Sequence, residues 1–455
     1  MEDKSKYTTS KYNYFIDYKG RKLLFNAMAG TGFHMSEQEY TQLLPLLENI
    51  NDFEQNHPDD FNRLVKLGYI IEADFDEIAY MKFKNRQLIF QDKAYRLTIN
   101  PTLECNFNCW YCYESHPKGC MSKTTIRKIK NHIKYMIERE RVPSLLLDWF
   151  GGEPLLYFYE VVYPIAMYAK NLCKKHKIPY SSQMTTNAFC IDEKMIPYLE
   201  EIQNNFFQIT LDGDRERHNK IRNASGKPSY DIIMNNINLL CEKLDNAYIT
   251  MRLNYDEKTL QSGNIYTILD DIKEENRKKI TVNTQRVWQT YEKKEKIGKN
   301  QDLIDFIKAA QNKGFRVHSG GGISIGSFYT CYVSRYYHTE INYDGKVYKC
   351  TARTYTDDHV MGELMPNGAI HWNEKKLSKM YANPTFENAL CIVCKYLPIC
   401  SGPCPQNVLD TKGNMTTNLC RSNMLEYSFE EQIIDYHEYI TKSKQELNQS
   451  SQKLE

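Results

Sequence analysis

The chain has 455 residues, of which 41% are hydrophobic and 25% charged, with a formal net charge of +2. This length suggests two or three domains, and the near-neutral charge gives no field that would steer the chain to nucleic acid or an anionic membrane. The sequence contains no apolar run of about 18 residues and no signal peptide at its polar start, so we expect a cytoplasmic location, no membrane and no nucleic-acid partner. Its 14 cysteines then favour metal ligation over disulfides.

Residues 1–90 have the pattern of a small unit of strands and short helices. Two apolar-rich runs around Lys19-Gly20-Arg21 predict a hairpin, and Ser36 followed by Glu39 predicts a helix that begins with a capping box. A second helix and a strand follow, which suggests a winged-helix-like module. DNA binding is the usual function of that shape, but residues 1–90 contain 11 Lys and Arg against 14 Asp and Glu, and a phosphate-binding face would be basic.

From residue 91 to 315 the pattern becomes an alternation of strands and helices. Apolar runs of strand length alternate with helical segments such as Tyr230–Lys243, whose apolar residues keep i, i+3, i+4 spacing. The predicted strands are Tyr95–Asn100, Leu145–Phe150, Tyr180–Asn187, Phe206–Asp212, Tyr248–Asn254 and Ile280–Gln285. Six such units predict an α/β fold, a partial (β/α)6 TIM-like barrel, whose chemistry would lie at the carboxyl ends of the strands.

Three cysteines, Cys105, Cys109 and Cys112, follow the first predicted strand. Three thiolates can hold a cubane iron–sulfur cluster by three of its irons, whereas a fully tied 4Fe–4S cluster takes four cysteines. The remaining iron is then open to a substrate or cosubstrate. A zinc site or a chance spacing is the alternative.

Glycines and polar residues follow the carboxyl ends of the other predicted strands. Gly151, Gly152 and Glu153 come directly after the second strand, where glycines let a backbone approach a ligand and Glu153 can accept from a cation. The further candidates are Thr186 and Asn187 at the third strand, Asp212 at the fourth, and Arg252 and Asn254 at the fifth. A strand-end Asn or Asp alone is more often a turn former, so these residues carry weight only together.

Seven cysteines lie in the region 316–428, at positions 331, 350, 391, 394, 400, 404 and 420. The run Ile341–Lys349 predicts a hairpin with an Asp-Gly turn that presents Cys350 at its end. Because Cys-x2-Cys is also a zinc-knuckle spacing, one or two structural zinc sites are the alternative. Residues 429–455 predict a C-terminal helix that becomes a Gln- and Ser-rich tail.

The triplet, with Tyr111 before its last cysteine, and the run Gly151-Gly152-Glu153-Pro154 resemble the signature of the radical S-adenosylmethionine (SAM) enzymes. The resemblance implies a 4Fe–4S cluster on the triplet, whose open iron binds SAM, and reductive cleavage of SAM to a 5′-deoxyadenosyl radical. It also implies SAM contacts at the ammonium, adenine, ribose and carboxylate from Gly151, Gly152, Glu153, Tyr111, Thr186, Asn187, Asp212, Arg252 and Asn254.

The seven late cysteines resemble the SPASM domain, the C-terminal extension of radical SAM peptide maturases, which holds two auxiliary clusters. By the family's interleaved order, auxiliary cluster I would be held by Cys331, Cys350 and Cys404, and auxiliary cluster II by Cys391, Cys394, Cys400 and Cys420. Cluster I is one protein ligand short, and we favour an open iron over a non-cysteine ligand. The resemblance thus implies three 4Fe–4S clusters and SAM as cofactors.

A module like residues 1–90 ahead of such a barrel resembles the leader-binding (RRE, PqqD-like) domain of peptide-maturing enzymes, where an extended leader peptide adds a strand to a sheet edge. A structural cap is the alternative. The expected function is removal of hydrogen from a ribosomally made precursor peptide, with a flavodoxin or ferredoxin as reductant. An open auxiliary iron favours a thioether crosslink from a peptide Cys, as in sactipeptide- and ranthipeptide-type maturases.

Other products stay open, namely a carbon–carbon or carbon–oxygen crosslink, or formylglycine as in sulfatase maturation. In the sulfatase branch an Asp base follows the cysteine after the hairpin, whereas Thr351 follows Cys350 here. A non-catalytic iron–sulfur or zinc protein would explain the cysteines but not Gly151-Gly152-Glu153-Pro154 at a strand end. The sequence identifies no catalytic general base.

Overall fold

The computed structural model describes residues 5–91, 94–287, 300–319, 325, 328, 331–382, 385–411, 419–424 and 428–452. Within these ranges, no helix is both long enough and apolar enough to cross a membrane.

The N-terminal part is a three-stranded antiparallel sheet with a separate strand pair and four helices. The strands are β1 Tyr7–Thr9, β2 Asn13–Tyr18, β3 Arg21–Asn26, β4 Thr31–Met35 and β5 Ile70–Glu72, and the helices are α1 Glu37–Glu48, α2 Ile50–Asn56, α3 Pro58–Lys66 and α4 Glu77–Phe90. The predicted hairpin is β2–β3, and β4 pairs with β3 as an edge strand, while β1 pairs with β5. The predicted capping box of Ser36 and Glu39 opens α1.

The middle part supplies the parallel strands. They are β6 Tyr95–Ile99, β7 Leu145–Trp149, β8 Tyr180–Thr186, β9 Asn204–Leu211, β12 Tyr248–Tyr255, β13 Ile280–Arg286 and β14 Arg316–Ser319, with a small pair β10 Asn223–Ala224 and β11 Lys227–Pro228. The helices are α5 Lys123–Glu138, α6 Tyr163–His176, α7 Ile196–Glu201, α8 Arg215–Ile221, α9 Tyr230–Lys243, α10 Glu257–Gln261, α11 Thr267–Asp270 and α12 Gln301–Asn312. All six predicted strands are present, each within two residues of its predicted bounds.

The C-terminal part adds strands to the same sheet. They are β15 His338–Ile341, β16 Lys346–Tyr348, β17 Gly362–Leu364 and β18 Ile370–Trp372, followed by helices α13 Glu374–Tyr381, α14 Ala389–Ile392, α15 Leu397–Cys400, α16 Pro405–Asp410 and α17 Phe429–Gln452. The predicted hairpin before Cys350 is β15–β16. Where the sequence predicts only a partly helical end, α17 is a continuous helix of 24 residues.

One eleven-stranded mixed sheet carries the site, in the order β14-β13-β12-β9-β8-β7-β6-β15-β16-β17-β18. The strands from β14 to β15 are parallel, and β15 to β18 are antiparallel. Sequential parallel strands with helices between them bring all their carboxyl ends to one edge. β14 and β15 lie beyond the predicted boundary at residue 315 and extend the sheet on both sides of the six predicted strands. Closure into a partial barrel stays a prediction.

Apolar packing fixes the strands and joins the two ends of the chain. Leu97, Leu147 and Ile209 are fully buried in the main core, as expected for parallel strands covered on both faces. The β2–β3–β4 sheet packs on one face against α1–α3. Its other face contributes Phe25 to a second cluster that includes Phe429 of α17, so the N-terminal sheet rests on the cysteine-rich end of the chain.

Candidate active site

The cysteines of the loop after β6 line one cleft at the carboxyl ends of the parallel strands. The cleft encloses about 970 Å³ of space, counting its mouth open to solvent. The wall includes Cys105, Cys109, Tyr111, Cys112, Gly151, Gly152, Thr186, Asn187, Arg252 and Asn254. Most of the predicted site residues of the barrel therefore converge on one cavity, while Glu153 and Asp212 lie behind its wall.

Gly151 and Gly152 hold the end of β7 against the cysteine loop. A Cβ atom at Gly152 would lie 2.3 Å from the Glu104 carbonyl oxygen, and one at Gly151 would lie 2.3 Å from the Thr102 carbonyl oxygen. The Glu153 N–H donates to the Glu104 carbonyl at 2.9 Å. The sequence analysis explained these two glycines by the close approach of a ligand. The close approach of the loop backbone already requires them.

Glu153 is fully buried and takes its donors from the protein. Its carboxylate accepts from the Thr186 hydroxyl at 2.7 Å, from the Asn187 N–H at 2.7 Å and from the Leu155 N–H at 3.0 Å. Burial raises the pKa of Glu153 to about 7. The donors Thr186 and Asn187 fix the end of β8 to Glu153, and the role of Glu153 as an acceptor for a ligand cation stays a prediction.

The end of β8 in turn contacts the first cysteine. The Asn187 side-chain amide donates to Asn106 Oδ1 at 2.7 Å and to Cys105 Sγ at 3.9 Å. Phe107 N–H donates to the same sulfur at 3.4 Å. Burial raises the pKa of Cys105 to about 12, so the free thiol is protonated at neutral pH and the thiolate needs a metal centre to form.

A polar network at the ends of β9 and β12 closes the opposite side. Tyr111 donates to the Asp212 carboxylate at 2.6 Å, and Arg222 pairs with the same carboxylate. The Tyr111 oxygen also accepts from Arg222 at 2.9 Å and from the Asn254 amide at 3.0 Å, and Arg252 donates to Asn254. These hydrogen bonds therefore fix the position of Tyr111, the predicted adenine contact. Asp212 contributes to the site by holding the Tyr111 hydroxyl.

No group of three or more His, Cys, Asp or Glu side chains in the described part of the chain is arranged to hold a single metal ion. A cubane cluster holds each thiolate on a different iron, which spaces its ligands more widely than a single ion does. The donor set of the loop, three thiols on one cavity wall, fits such a cluster.

The late cysteines fall into two groups in space. Burial raises the pKa of Cys391 to about 11, and the nearby thiols of Cys400, Cys394 and Cys420 add to this rise. Burial also raises the pKa of Cys331 and the pKa of Cys350, and the nearby thiol of Cys404 adds to both rises. The structure thus brings together the same two sets that the SPASM resemblance implies, whose roles as ligands stay a prediction.

Two tyrosines connect the cleft to the first of these groups. Tyr113, next to Cys112, donates to the Thr351 carbonyl at 2.7 Å. The Thr351 hydroxyl bonds the Tyr332 hydroxyl at 2.7 Å, and these two residues adjoin Cys350 and Cys331. The cysteine loop and the late cysteines therefore share one hydrogen-bonded junction.

Several residues of the cleft were missed by the sequence analysis as site residues. They are Phe107, Tyr113, Glu114, His116, Phe150, Gln208, Thr210, Arg286 and Val287. Thr210 lies near the end of β9 and Arg286 ends β13, so their places at strand ends were a readable signal. Glu114 lies on a loop, where no periodicity points to a site.

Comparison with known proteins agrees with this geometry. Residues 99–262 match the Radical SAM superfamily. The serine-type anaerobic sulfatase-maturating enzyme of Bacteroides thetaiotaomicron is 29% identical over 149 residues, which are 30% of this chain and 34% of the relative. The chain thus matches about a third of the length of that relative.

Solved structures extend the likeness in fold. Native anSMEcpe with bound AdoMet has a TM-score of 0.57 at 20% identity, over 76% of this chain and 99% of that one. Streptococcus suis SuiB bound to precursor peptide SuiA has a TM-score of 0.50 at 17% identity, over 89% of this chain and 97% of that one. Residues 99–262 therefore resemble the radical SAM superfamily, and the chain shares the fold of these two solved proteins over most of its length.

Proposed function

We propose that this chain is a radical SAM enzyme that modifies a ribosomally made precursor peptide. The observation that carries the proposal is the convergence of Cys105, Cys109 and Cys112 with the ends of five parallel strands on one cleft. When bound there, the cluster and SAM supply a 5′-deoxyadenosyl radical, which removes a hydrogen atom from a substrate C–H bond.

The chain's own residues position the reactants and exclude water. Asn187 orients the first cysteine, the two glycines keep the loop close to β7, and Tyr111 and Asn254 present a fixed polar wall. Because a reactive radical also attacks solvent and protein, a cleft with rigid walls is needed to hold the target C–H close to it. Thr186, Arg252 and Asn254 are the polar groups proposed to contact SAM.

We further propose a SPASM-type assignment for residues 316–428, with the two sets of late cysteines as ligands of auxiliary clusters I and II. A thioether joins a thiol to a carbon with loss of two hydrogen atoms, so one electron and one proton must leave after the radical step. The junction of Tyr113, Thr351 and Tyr332 supports placing the electron acceptor beside the cleft. A thioether from a peptide Cys is the favoured product, because auxiliary cluster I, with three cysteines, would leave one iron open to the thiolate of that Cys.

Residues 1–90 are proposed to bind the leader of the precursor. The β2–β3–β4 sheet has β4 at its edge, and an extended peptide can pair with such an edge through backbone hydrogen bonds. Both faces of the sheet are covered, which leaves the edge as the accessible element. A flavodoxin or ferredoxin is the proposed reductant.

Formylglycine formation is the second candidate, favoured by the similarity to the serine-type sulfatase-maturating enzyme. The threonine at position 351 counts against it. The sulfatase branch has an Asp there, whose carboxylate accepts a proton, whereas the Thr351 hydroxyl forms a hydrogen bond with the Tyr332 hydroxyl. Carbon–carbon and carbon–oxygen crosslinks differ from a thioether in needing no cysteine in the peptide.

The experiment that separates these products incubates the anaerobic enzyme, SAM and dithionite with a synthetic peptide for any short cysteine-containing reading frame found near the gene. Mass spectrometry is expected to find a product two hydrogen atoms lighter that resists iodoacetamide at one cysteine. If a peptide whose cysteines were all alkylated beforehand still gives the product, the thioether assignment is wrong.

A further inference from the structure

Arg353 lies beside the cysteines predicted to hold auxiliary cluster I, and the protein fixes its position. Its Nε atom donates to the Asp410 carboxylate at 3.1 Å, and its Nη1 atom donates to the Ala352 carbonyl at 2.7 Å. Its Nη2 atom donates to the side chain of Asn407. Asp410 and Asn407 both lie on α16, which Cys404 directly precedes. The side chain of Arg353 is 16% exposed, so its guanidinium group is largely buried and is held at every nitrogen.

The fixed guanidinium group faces two of the three thiols of this set. Its Nη2 atom donates a long hydrogen bond to Cys404 Sγ at 4.0 Å. Burial raises the pKa of Cys350 to about 12, and the positive charge of Arg353 opposes this rise, so the charge also reaches the second sulfur. Cys331, the third thiol, lies near Cys404. An ion pair with Asp410 explains the contact of Nε but not the approach of Nη2 to a sulfur.

The carboxylate of Asp410 does not cancel the charge of Arg353 at the thiols. Asp410 is 37% exposed, more than twice as much as Arg353, so water screens its charge more strongly. It also has partners of its own, because Gln406 donates to it at 2.9 Å and His359 Nε2 lies 3.6 Å from it. The cation is therefore the less screened member of the pair.

Three more charged side chains act on the same thiols. Glu340 adds to the burial-driven rise in the pKa of Cys350, but burial raises its own pKa to about 7, so it is only partly ionised at neutral pH. Arg421 and Arg96 oppose the burial-driven rise in the pKa of the third thiol. Arg421 donates to a backbone carbonyl of the second cysteine set and Arg96 pairs with a carboxylate on β7, whereas a hydrogen bond of Arg353 ends on a sulfur.

We propose that Arg353 sets the reduction potential of auxiliary cluster I by stabilising its reduced form. The inference rests on the proposed function, in which Cys331, Cys350 and Cys404 hold that cluster. One-electron reduction adds one negative charge to a cluster, and net charge and hydrogen bonds to the sulfurs set its potential. A fixed cation and an N–H donor to a ligand sulfur both favour the reduced form. Arg353 therefore makes this cluster easier to reduce, which agrees with the proposed electron acceptor beside the cleft.

A redox titration with dithionite, followed by electron paramagnetic resonance, tests the proposal on the full chain loaded with iron and sulfide under anaerobic conditions. A background that combines Cys105→Ala, Cys109→Ala and Cys112→Ala removes the loop cluster, so that the two auxiliary midpoints can be resolved. Arg353→Gln removes the charge, and Arg353→Lys keeps it. The matched control is Arg277→Gln, because Arg277 also donates to two backbone carbonyls, at 3.3 and 3.4 Å, but precedes the amino end of β13.

In Arg353→Gln, one of the two midpoints is expected to fall by about 59 mV or more, which is a tenfold loss in the equilibrium constant of a one-electron reduction. The other midpoint is the internal reference and should stay in place. Arg353→Lys should retain most of the wild-type value, and Arg277→Gln should shift neither midpoint. Asp410→Asn, which removes the opposing charge and keeps a side-chain acceptor, should raise the midpoint that Arg353→Gln lowers.

Unchanged midpoints in Arg353→Gln at the iron content of the wild type would overturn the proposal, as would an equal fall in Arg353→Lys. If Arg353→Gln loses iron, or loses its fold by circular dichroism, Asp410→Asn decides, and a midpoint that does not rise there overturns the proposal. Late cysteines that bind no iron in the background chain would overturn the SPASM assignment and this inference with it. Normal iron with unshifted midpoints would overturn the role of Arg353 alone.

Discussion

Replacing Gly152 with alanine should loosen the cysteine loop from the sheet. The new Cβ would lie 2.3 Å from the Glu104 carbonyl oxygen and 2.4 Å from that of Leu103, and both are backbone atoms that cannot rotate away. Overpacking of a tight site costs about 1–3 kcal/mol. The alanine side chain would also strain the two hydrogen bonds to the loop, from Gly152 N–H at 3.2 Å and from Glu153 N–H at 2.9 Å. Each such hydrogen bond contributes about 0.5–1.5 kcal/mol. The expected loss of stability is therefore roughly 2–6 kcal/mol.

The matched control is Gly263→Ala. A Cβ at Gly263 would meet no atom within 4 Å, and its φ lies outside the left-handed region. This change should alter stability by less than about 1 kcal/mol. Urea unfolding followed by circular dichroism measures both midpoints, and iron analysis after anaerobic reconstitution measures cluster loading, which should fall only in Gly152→Ala. Equal midpoints and equal iron contents in the two variants would refute the close packing of β7 against the loop.

Three further changes test other parts of the account. Tyr111→Phe removes the donor to Asp212 and the acceptor for Arg222 and Asn254, so it should cost about 1–3 kcal/mol and weaken SAM binding in equilibrium dialysis; unchanged SAM affinity would contradict the polar wall. Burial raises the pKa of Glu340 from 4.5 to about 7, so its folded form holds the proton more tightly and stability should fall as pH rises from 4.5 to 7; Glu153, whose pKa burial also raises to about 7, contributes to the same decline, so urea midpoints of Glu340→Gln should fall less steeply than those of the wild type, and parallel pH profiles would count against it. Cys394→Ser should remove about a third of the bound iron, as expected from the loss of one of three clusters, whereas Cys173→Ser in the apolar core should remove none; equal iron in both variants would exclude the assignment of auxiliary cluster II.

The sequence predicts the strands well because the residues within each strand determine it. Tyr95–Asn100 and Leu145–Phe150 are apolar runs of strand length, and the structure ends each of them one residue earlier. The capping box of Ser36 depends on two residues three positions apart and is present as predicted. The strand Arg316–Ser319 was missed because it is short and contains polar residues, and only pairing with β13 makes it a strand. His338–Ile341 belongs to the predicted hairpin, but its parallel pairing with β6 was missed, because it depends on a partner far away in the sequence.

The site shows where local patterns fail. The motif predicts Glu153 as an acceptor but gives no sign of its donors Thr186 and Asn187, which are more than thirty residues away in the sequence. Whether a carboxylate faces a ligand or supports a neighbouring strand depends on this tertiary pairing. Arg353 was missed for the same reason, because its place beside Cys404 depends on Asp410 and Asn407 of α16, which are more than fifty residues away in the sequence.

The central claim is that Cys105, Cys109 and Cys112 form the SAM-cleaving centre of this chain. The most direct test incubates anaerobically purified protein with dithionite and SAM and measures 5′-deoxyadenosine by liquid chromatography. We expect the wild-type protein to be brown and to form 5′-deoxyadenosine. A variant that combines Cys105→Ala, Cys109→Ala and Cys112→Ala should form none and should keep the iron bound by the late cysteines. A colourless, zinc-loaded wild-type protein that leaves SAM intact would contradict it.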